Sequence, residues 1–332
     1  MRRTRWTAVA VSSVLAAGIA LSGCSADASG DDGASSEATV VEHSFGSTTV
    51  EGVPERIVVA GSQWVDALLE LGVQPVAYLS AAGRGDDRGL YPWQQDMSTE
   101  AKELDRAAAA YGAPPPVEEI ASYAPDLVLT ISTNLNPQSY EQLSGVAPTI
   151  PSITDQGVDP WEDQVAALGR VLHMEDKATE IIENRKGEID ALAERLPGLE
   201  GKTAVLSQFM FASNQFVIVA DPEDGASQTF QRLGMTLPPS LLEEAGVSQG
   251  RIMLSAERVD ALVSDLLIIL PNGGTLEGLE ALPGFTDLPS VKTGGLAVVD
   301  FPTVVAFNSP SSLSLGYGLD KITPQLEAVA GV

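Results

Sequence analysis

From Trp161 to Leu196 the chain sets Val165, Leu168, Leu172, Ala178, Ile181, Ile182, Ile189 and Leu192 close to helical spacing. Roughly 35 residues at ~1.5 Å each make a helix on the order of 50 Å long, the length of a whole domain face. No internal repeat flanks it, which excludes a solenoid, and its heptads are not sustained, which argues against a coiled coil. Strand and helix signals alternate on both sides instead. The segment therefore predicts a rigid strut between two lobes, with Gly169 and Gly187 as places where it bends.

In the first lobe, residues 56–60 are strand-like, Gly61, Ser62, Gln63 and Trp64 make a turn, and residues 65–71 form an apolar-periodic helix stopped by Gly72. Residues 76–79 read as a strand and 117–123 as a helix. Residues 126–131 read as a continuous apolar strand, suited to a parallel sheet covered on both faces. After Pro197 and Gly198 the alternation resumes, with strands at 203–208, 217–220, 266–270 and 295–300 and helices at 227–233 and 256–262. A last helix at 314–329 should kink at Pro324. The expected fold class is α/β: two Rossmann-like lobes with parallel sheets, joined by one long α-helix, with the ligand cleft between them.

The N-terminus carries Arg2, Arg3 and Arg5 ahead of an apolar run, residues 8–21, too short for a comfortable membrane span. Leu21, Ser22 and Gly23 then precede Cys24, the only cysteine, in a spacing that resembles a bacterial lipobox. Residues 1–23 are thus expected to be a lipoprotein signal peptide and Cys24 the lipid anchor, where two or more acyl chains give stable attachment. Residues 24–39, rich in Ser, Ala, Gly and Asp, have the composition of a flexible tether. The remaining boundaries are 40–159 for the first lobe, 160–196 for the connecting helix and 197–332 for the second lobe. The net charge is -26, and the leader removes only positive charge. Nucleic acid is thereby excluded as a partner, since binding it needs basic patches.

Several stretches, in order, carry a family resemblance. Pro54, Glu55, Arg56, Ile57, Val58 and Val59 run into Ala67, Leu68, Leu69, Glu70, Leu71, Gly72 and Val73. Ile120 precedes Pro125, Asp126, Leu127 and Val128, and Tyr140 to Leu143 precede Ala147, Pro148 and Thr149. With the lipobox and the long helix, the chain resembles the helical-backbone class of ABC-importer substrate-binding lipoproteins for ferric siderophores, haem and cobalamin. That resemblance implies a carrier outside the membrane, small-angle lobe closure, a permease partner and a monomer.

Ligands of open parallel sheets meet the loops at the carboxyl ends of the strands. Those loops carry Gln63 and Trp64, then Arg84, Arg88, Tyr91 and Trp93, then Ser132, Thr133 and Asn134. In the second lobe they carry Phe209, Met210, Phe211 and Asn214, then Asn272, then Phe307 and Asn308. The aromatics offer flat apolar surface and the amides and arginines a few directed hydrogen bonds. The second-lobe loops hold no Lys or Arg, and Arg84 and Arg88 lie beside Asp86 and Asp87. A ferric tris-catecholate would need several cations, so a neutral or cationic ferric hydroxamate is the expected ligand. Haem or cobalamin is the alternative, with Tyr91 or Met210 as axial haem ligand.

The resemblance also implies one permease-docking carboxylate per lobe, at Glu118, with Glu119 as its stand-in, and at Glu257. Both would sit in first helical turns, the second capped by Ser255. Gly83, Gly85 and Gly89 miss the spacing of a phosphate loop. His43 and His173 lie away from the expected cleft, so neither a bare metal site nor a resident cofactor is expected. Catalysis is not expected either: there is no G-x-S-x-G, no spare thiol and no histidine base at the cleft.

Overall fold

A computed structural model describes residues 38–109, 113–154, 158–244, 248 and 250–332, leaving aside the side chains of Ala82, Arg106, Ala109 and Asn134. Residues 36–332 form one compact unit. Cys24 and the expected leader lie outside the described residues.

The first element is one that the strand–helix alternation did not announce. β1 (Ala38–His43) and β2 (Gly46–Glu51) pair as an antiparallel hairpin, burying Val41 and Val50. Then follow β3 (Ile57–Ala60), α1 (Ser62–Glu70), β4 (Ala77–Tyr78), β5 (Lys102–Glu103), α2 (Val117–Ser122), β6 (Leu127–Thr130), α3 (Pro137–Ser144) and β7 (Thr149–Ile150). β3 and β6 are buried along their whole length, as strands covered on both faces must be. The sheet is wholly parallel, in the order β5-β4-β3-β6-β7. Gly61 is required at the β3–α1 turn, where a Cβ would meet Ile131 Cγ2 at 2.8 Å.

The long periodic stretch is two helices, α4 (Trp161–Val171) and α5 (Glu175–Arg195), packed side by side. The break has a local cause. Met174 N donates to Gly169 O at 2.7 Å, and His173 takes a left-handed φ of 53° in an exposed turn. The absence of a side chain at Gly169 then lets Ala178 approach, since a Cβ there would lie 2.5 Å from the Ala178 Cβ. α5, with 21 residues, is the long connecting helix. It packs on α4 before the second lobe and on α6 and α11 within it.

The second lobe runs β8 (Ala204–Met210), β9 (Gln215–Val219), α6 (Gly225–Arg232), α7 (Pro239–Leu242), β10 (Arg251–Ser255), β11 (Leu266–Asn272), α8 (Leu276–Glu280), α9 (Pro289–Thr293), β12 (Leu296–Val298), α10 (Phe301–Asn308) and α11 (Ser312–Ala330). Its sheet, ordered β10-β9-β8-β11-β12, is mixed rather than parallel. β8, β11 and β12 are parallel, and β9 is antiparallel to both β8 and β10. The link from β8 to β9 is too short for a crossover and can only make a hairpin, turned by Asn214 at φ 55°.

Two further expectations are corrected. Residues 256–262 form no α-helix: Ser255 ends β10, and a single turn of 3₁₀-helix spans Val259–Leu262. α11 continues through Pro324. Pro324 and Asp320 are both exposed, so water can satisfy the carbonyl that loses its partner.

One device recurs in both lobes. Asp126, just before β6, accepts from the backbone N–H groups of Glu55 and Arg56, each at 2.8 Å. Asp265, just before β11, accepts from Thr203 N at 2.8 Å and Thr203 Oγ1 at 2.9 Å. Each carboxylate thus pins the start of the neighbouring parallel strand and fixes its register.

Candidate functional site

The loops that meet at the junction between the lobes follow the carboxyl ends of parallel strands. From β4 comes the loop bearing Arg84, Tyr91 and Trp93, from β12 the start of α10, and between them α1 meets the residues that open α11. Arg84 lies 4.3 Å over the ring of Phe301 on α10, a cation–π contact that joins the two lobes. Beside it, Gly85, Asp86, Leu90, Pro92, Gln95 and Pro302 help to line an open cavity of about 480 Å³, within the range of small-molecule sites.

Tyr91 and Trp93 stack at 4.7 Å with an interplanar angle of 9°, and Tyr317 of α11 lies 5.3 Å from the Trp93 ring. Tyr317 was not among the expected residues, because it sits inside a helix and not on a strand-end loop. Burial pushes the Tyr91 phenol up to about 12.

Phe211, on the turn after β8, is half-buried against Gly274 and Gly278, where any Cβ would come within 2.6 Å of its ring. Asn272 Nδ2 donates to Gln208 Oε1 at 3.0 Å, so these amides form a polar pair at the carboxyl ends of β11 and β8. Gln208 was missed as well, since it lies within a strand.

The hairpin adds a contact that no motif signalled. Ser44 Oγ is 2.6 Å from Ser132 Oγ, and Ser44 N donates to Ser152 O at 3.2 Å, which ties the hairpin tip to the loops after β6 and β7. Phe45 stacks on Tyr140 at 4.9 Å. His43 is buried beneath them, with its imidazole pKa lowered by desolvation, and its Nε2 lies 2.9 Å from Thr48 Oγ1. The side chain of Asn134 lies outside the described residues.

Several expected ligand contacts are occupied elsewhere. Trp64 is wholly buried and donates Nε1–H to Thr130 O at 2.8 Å. Phe209 packs between Phe211 and Phe216, and Phe307 against Phe230, both inside the second-lobe core. These three sit in strands or helices where apolar periodicity turns them inward, so none presents a face to the cleft. Arg88 donates to the carbonyls of Met97 at 3.2 Å and Ser98 at 2.5 Å and holds its own loop together. Asn308 accepts from Arg251 Nη2 at 3.0 Å, and Arg251 pairs with Asp224 at 2.5 Å. Asn214 is exposed, and its left-handed φ accounts for an asparagine there.

Glu118 is exposed in the first turn of α2, whereas Glu119 accepts from Asp105 N at 3.0 Å and is engaged in its own lobe. Glu257 is exposed in the turn after β10, not in a helical turn. β10 runs in the direction of β8, so Glu257 stands at the carboxyl-end edge of the second sheet. Among the described residues, no group of three or more His, Cys, Asp or Glu is arranged to hold a metal ion, and no helix is long and apolar enough to cross a membrane.

Comparison with known proteins agrees with this geometry. The family described as "Periplasmic binding protein" matches residues 90–303. The Fe(3+)-citrate-binding protein YfmC of Bacillus subtilis is 28% identical over 313 residues, covering 92% of this chain and 93% of that one. The probable siderophore-binding lipoprotein YfiY of the same organism is 28% identical over 199 residues, covering 59% of this chain and 58% of its own. Among solved structures, a periplasmic solute binding protein from Mycobacterium smegmatis aligns with a TM-score of 0.73 and 26% identity, over 89% of this chain and 99% of that one. Streptococcus pneumoniae PiaA in complex with ferrichrome aligns with a TM-score of 0.72 and 24% identity, over 87% and 98%. These relatives are binding proteins and not enzymes. With two α/β lobes, a connecting helix and a cleft at the carboxyl ends of both sheets, this chain belongs to the periplasmic binding protein family.

Proposed function

We propose that the chain is the lipid-anchored solute-binding component of an ABC importer, and that its ligand is a ferric siderophore of the hydroxamate type. Its relatives' ferric-citrate and siderophore ligands support the class. The charge state of the second lobe carries the choice within it. Lys202 pairs with Asp265, Arg232 with Asp190, Arg251 with Asp224, Arg258 with Glu244 and Asp260, and Lys292 with Asp287. Lys321, the last cation of that lobe, lies over the Tyr317 ring. A lobe whose cations are already committed suits a chelate of low charge, bound through aromatic faces and a few amides.

Cys24 is the anchor in this account, and Glu118 and Glu257 are the carboxylates that meet permease arginines, one from each lobe, setting orientation more than affinity. The carrier works as a monomer, because one permease must meet both lobes at once. Competition uptake tests the reading. Cells dependent on this chain should import iron from ferrioxamine B, and excess ferrichrome should compete better than excess ferric citrate. Iron uptake from ferric citrate alone, with no response to either hydroxamate, would overturn the ligand assignment.

A further inference from the structure

Asp66 lies on α1 at the junction of the lobes and is only 2% exposed. Its Oδ2 accepts from Trp93 Nε1 at 2.8 Å and from Ser311 Oγ at 2.5 Å, and its Oδ1 accepts from Gln94 Nε2 at 2.5 Å. Trp93 and Gln94 belong to the loop after β4, in the first lobe. Ser311 caps α11, which packs along β11 and β12 of the second. One turn earlier on the same face of α1, Gln63 Nε2 donates to Pro310 O at 2.8 Å. Residues 310–311 are thus held to the first lobe by two polar side chains of one helix.

A buried carboxylate with no cationic partner is costly, and well-packed apolar groups in its place would be more stabilising. What this one holds is an aromatic wall beside the cleft: the half-buried Trp93 ring, next in the chain to the cavity-lining Pro92, stacked on the buried Tyr91 and leaning on Tyr317. We propose that Asp66 is a positioning residue for ligand capture, one carboxylate that fixes the Trp93 indole to the start of α11 and so sets the aromatic wall and the spacing of the lobes together. This rests on the reading of the cleft as the chelate site. Movement of α11 on closure reaches Trp93 through Asp66, and a chelate that settles on Trp93 pulls on α11 by the same route.

Tyr91 and Glu70 are the titratable groups that feel the Asp66 charge. Charged residues on the helices packed on α1, namely Asp163 and Arg170 on α4 and Asp320 and Lys321 on α11, form no hydrogen bond with it, and neither do Arg185 and Glu188 of α5, whose charges act on Glu70. Desolvation raises the Asp66 carboxyl to about 6. Near that pH, protonation replaces charge-assisted hydrogen bonds with weaker neutral ones.

The isosteric Asp66→Asn variant sets an amide N–H against donors that now meet a carboxylate. Its Trp93 indole N–H resonance should shift and exchange faster with water. Ferrioxamine B affinity should fall roughly tenfold, while Tm stays level or rises. Wild-type affinity in that variant, or a loss of affinity matched by a fall in Tm, would overturn the proposal. Should the variant not fold, the wild-type protein decides. The Trp93 indole shift and the ferrioxamine B affinity should change with one midpoint near pH 6, and separate midpoints would overturn the coupling. If the wild-type chain binds no ferric chelate, the functional reading fails by itself. The positioning claim is then judged on the ligand-free indole resonance, which must titrate near pH 6 in the wild type and lose that titration in Asp66→Asn.

Discussion

Lys186 Nζ lies 3.0 Å from Glu162 Oε1, joining the middle of α5 to the first turn of α4. In one uninterrupted helix those residues would be on the order of 36 Å apart. The ion pair itself is partly exposed and adds little. It records that the chain doubles back at His173, so that α4 lies on the first lobe and α5 alone crosses to the second.

The tightest point of that turn is Gly169 against Ala178. Gly169→Val should force the two helices apart and destabilise the protein by ~1–3 kcal/mol, lowering Tm by about 2–4 °C for each kcal/mol in a chain of this size. Thermal unfolding by circular dichroism would show it, and an unchanged Tm would mean that the helix contact is loose.

Asp126 and Asp265 perform one task in two sheets. Asp126→Ala and Asp265→Ala should each cost about 1 kcal/mol, at the low end for charge-assisted bonds because both carboxylates reach water. They lie in different lobes, so the double variant should show the sum within ~0.5 kcal/mol. Urea unfolding midpoints provide the check, and strong non-additivity would contradict independent roles.

The two carboxylates on the inner face of α1 make stability depend on pH. Desolvation raises Asp66 to about 6 and Glu70 to about 7, above their unfolded values. A raised acid binds more protons when folded, so its ionisation destabilises the fold. Stability should therefore increase as pH falls from 7.5 toward 5. For Asp66, two pH units correspond to ~3 kcal/mol at most. Asp66→Asn and Glu70→Gln should each be at least as stable as the wild type at pH 7.5 and should flatten the pH curve. A fall in stability at pH 7.5 in both variants would refute the assignment.

Docking and capture should separate cleanly. Reversing charge at Glu118 and Glu257 together should abolish iron uptake while leaving chelate affinity within about twofold, because both side chains are exposed and stand outside the aromatic wall. Normal uptake by the double variant would remove these residues from the docking account.

The architecture was legible wherever a period could be counted. The buried run at 127–130, the turn at Gly61 and the alternation around residue 196 each express one local rule. The break at His173 was not legible, because the same apolar spacing serves a straight helix and a helix pair, and the left-handed turn at His173 and the Gly169–Ala178 contact that separate them leave no period to count. The hairpin β1–β2 has β-branched residues at Thr39, Val40, Val41, Thr48, Thr49 and Val50, but it adjoins the low-complexity tether and stands outside the strand–helix alternation. At the candidate site, loop position picks out Tyr91 and Trp93, which stack on each other, but also Trp64, Phe209 and Phe307, whose rings turn into the core. Asp66, Gln208 and Tyr317 lie inside regular elements, where a polar or aromatic residue reads as surface or packing. Their contacts are with partners far away in sequence.

The central claim, capture of a ferric chelate, is tested most directly by titrating the compact unit, residues 36–332, and following tryptophan fluorescence. Trp64 and Trp161 are buried, and the half-buried Trp93 is the tryptophan placed to meet a ligand directly. Ferrioxamine B, ferrichrome, ferric citrate, a ferric catecholate, haem and cobalamin would be added in turn, with iron-free chelators as controls. Saturable quenching by a ferric hydroxamate at sub-micromolar concentration, smaller in amplitude in Trp93→Phe, is the result expected. Saturable binding of haem or cobalamin alone, or no response to any ferric chelate, would contradict it.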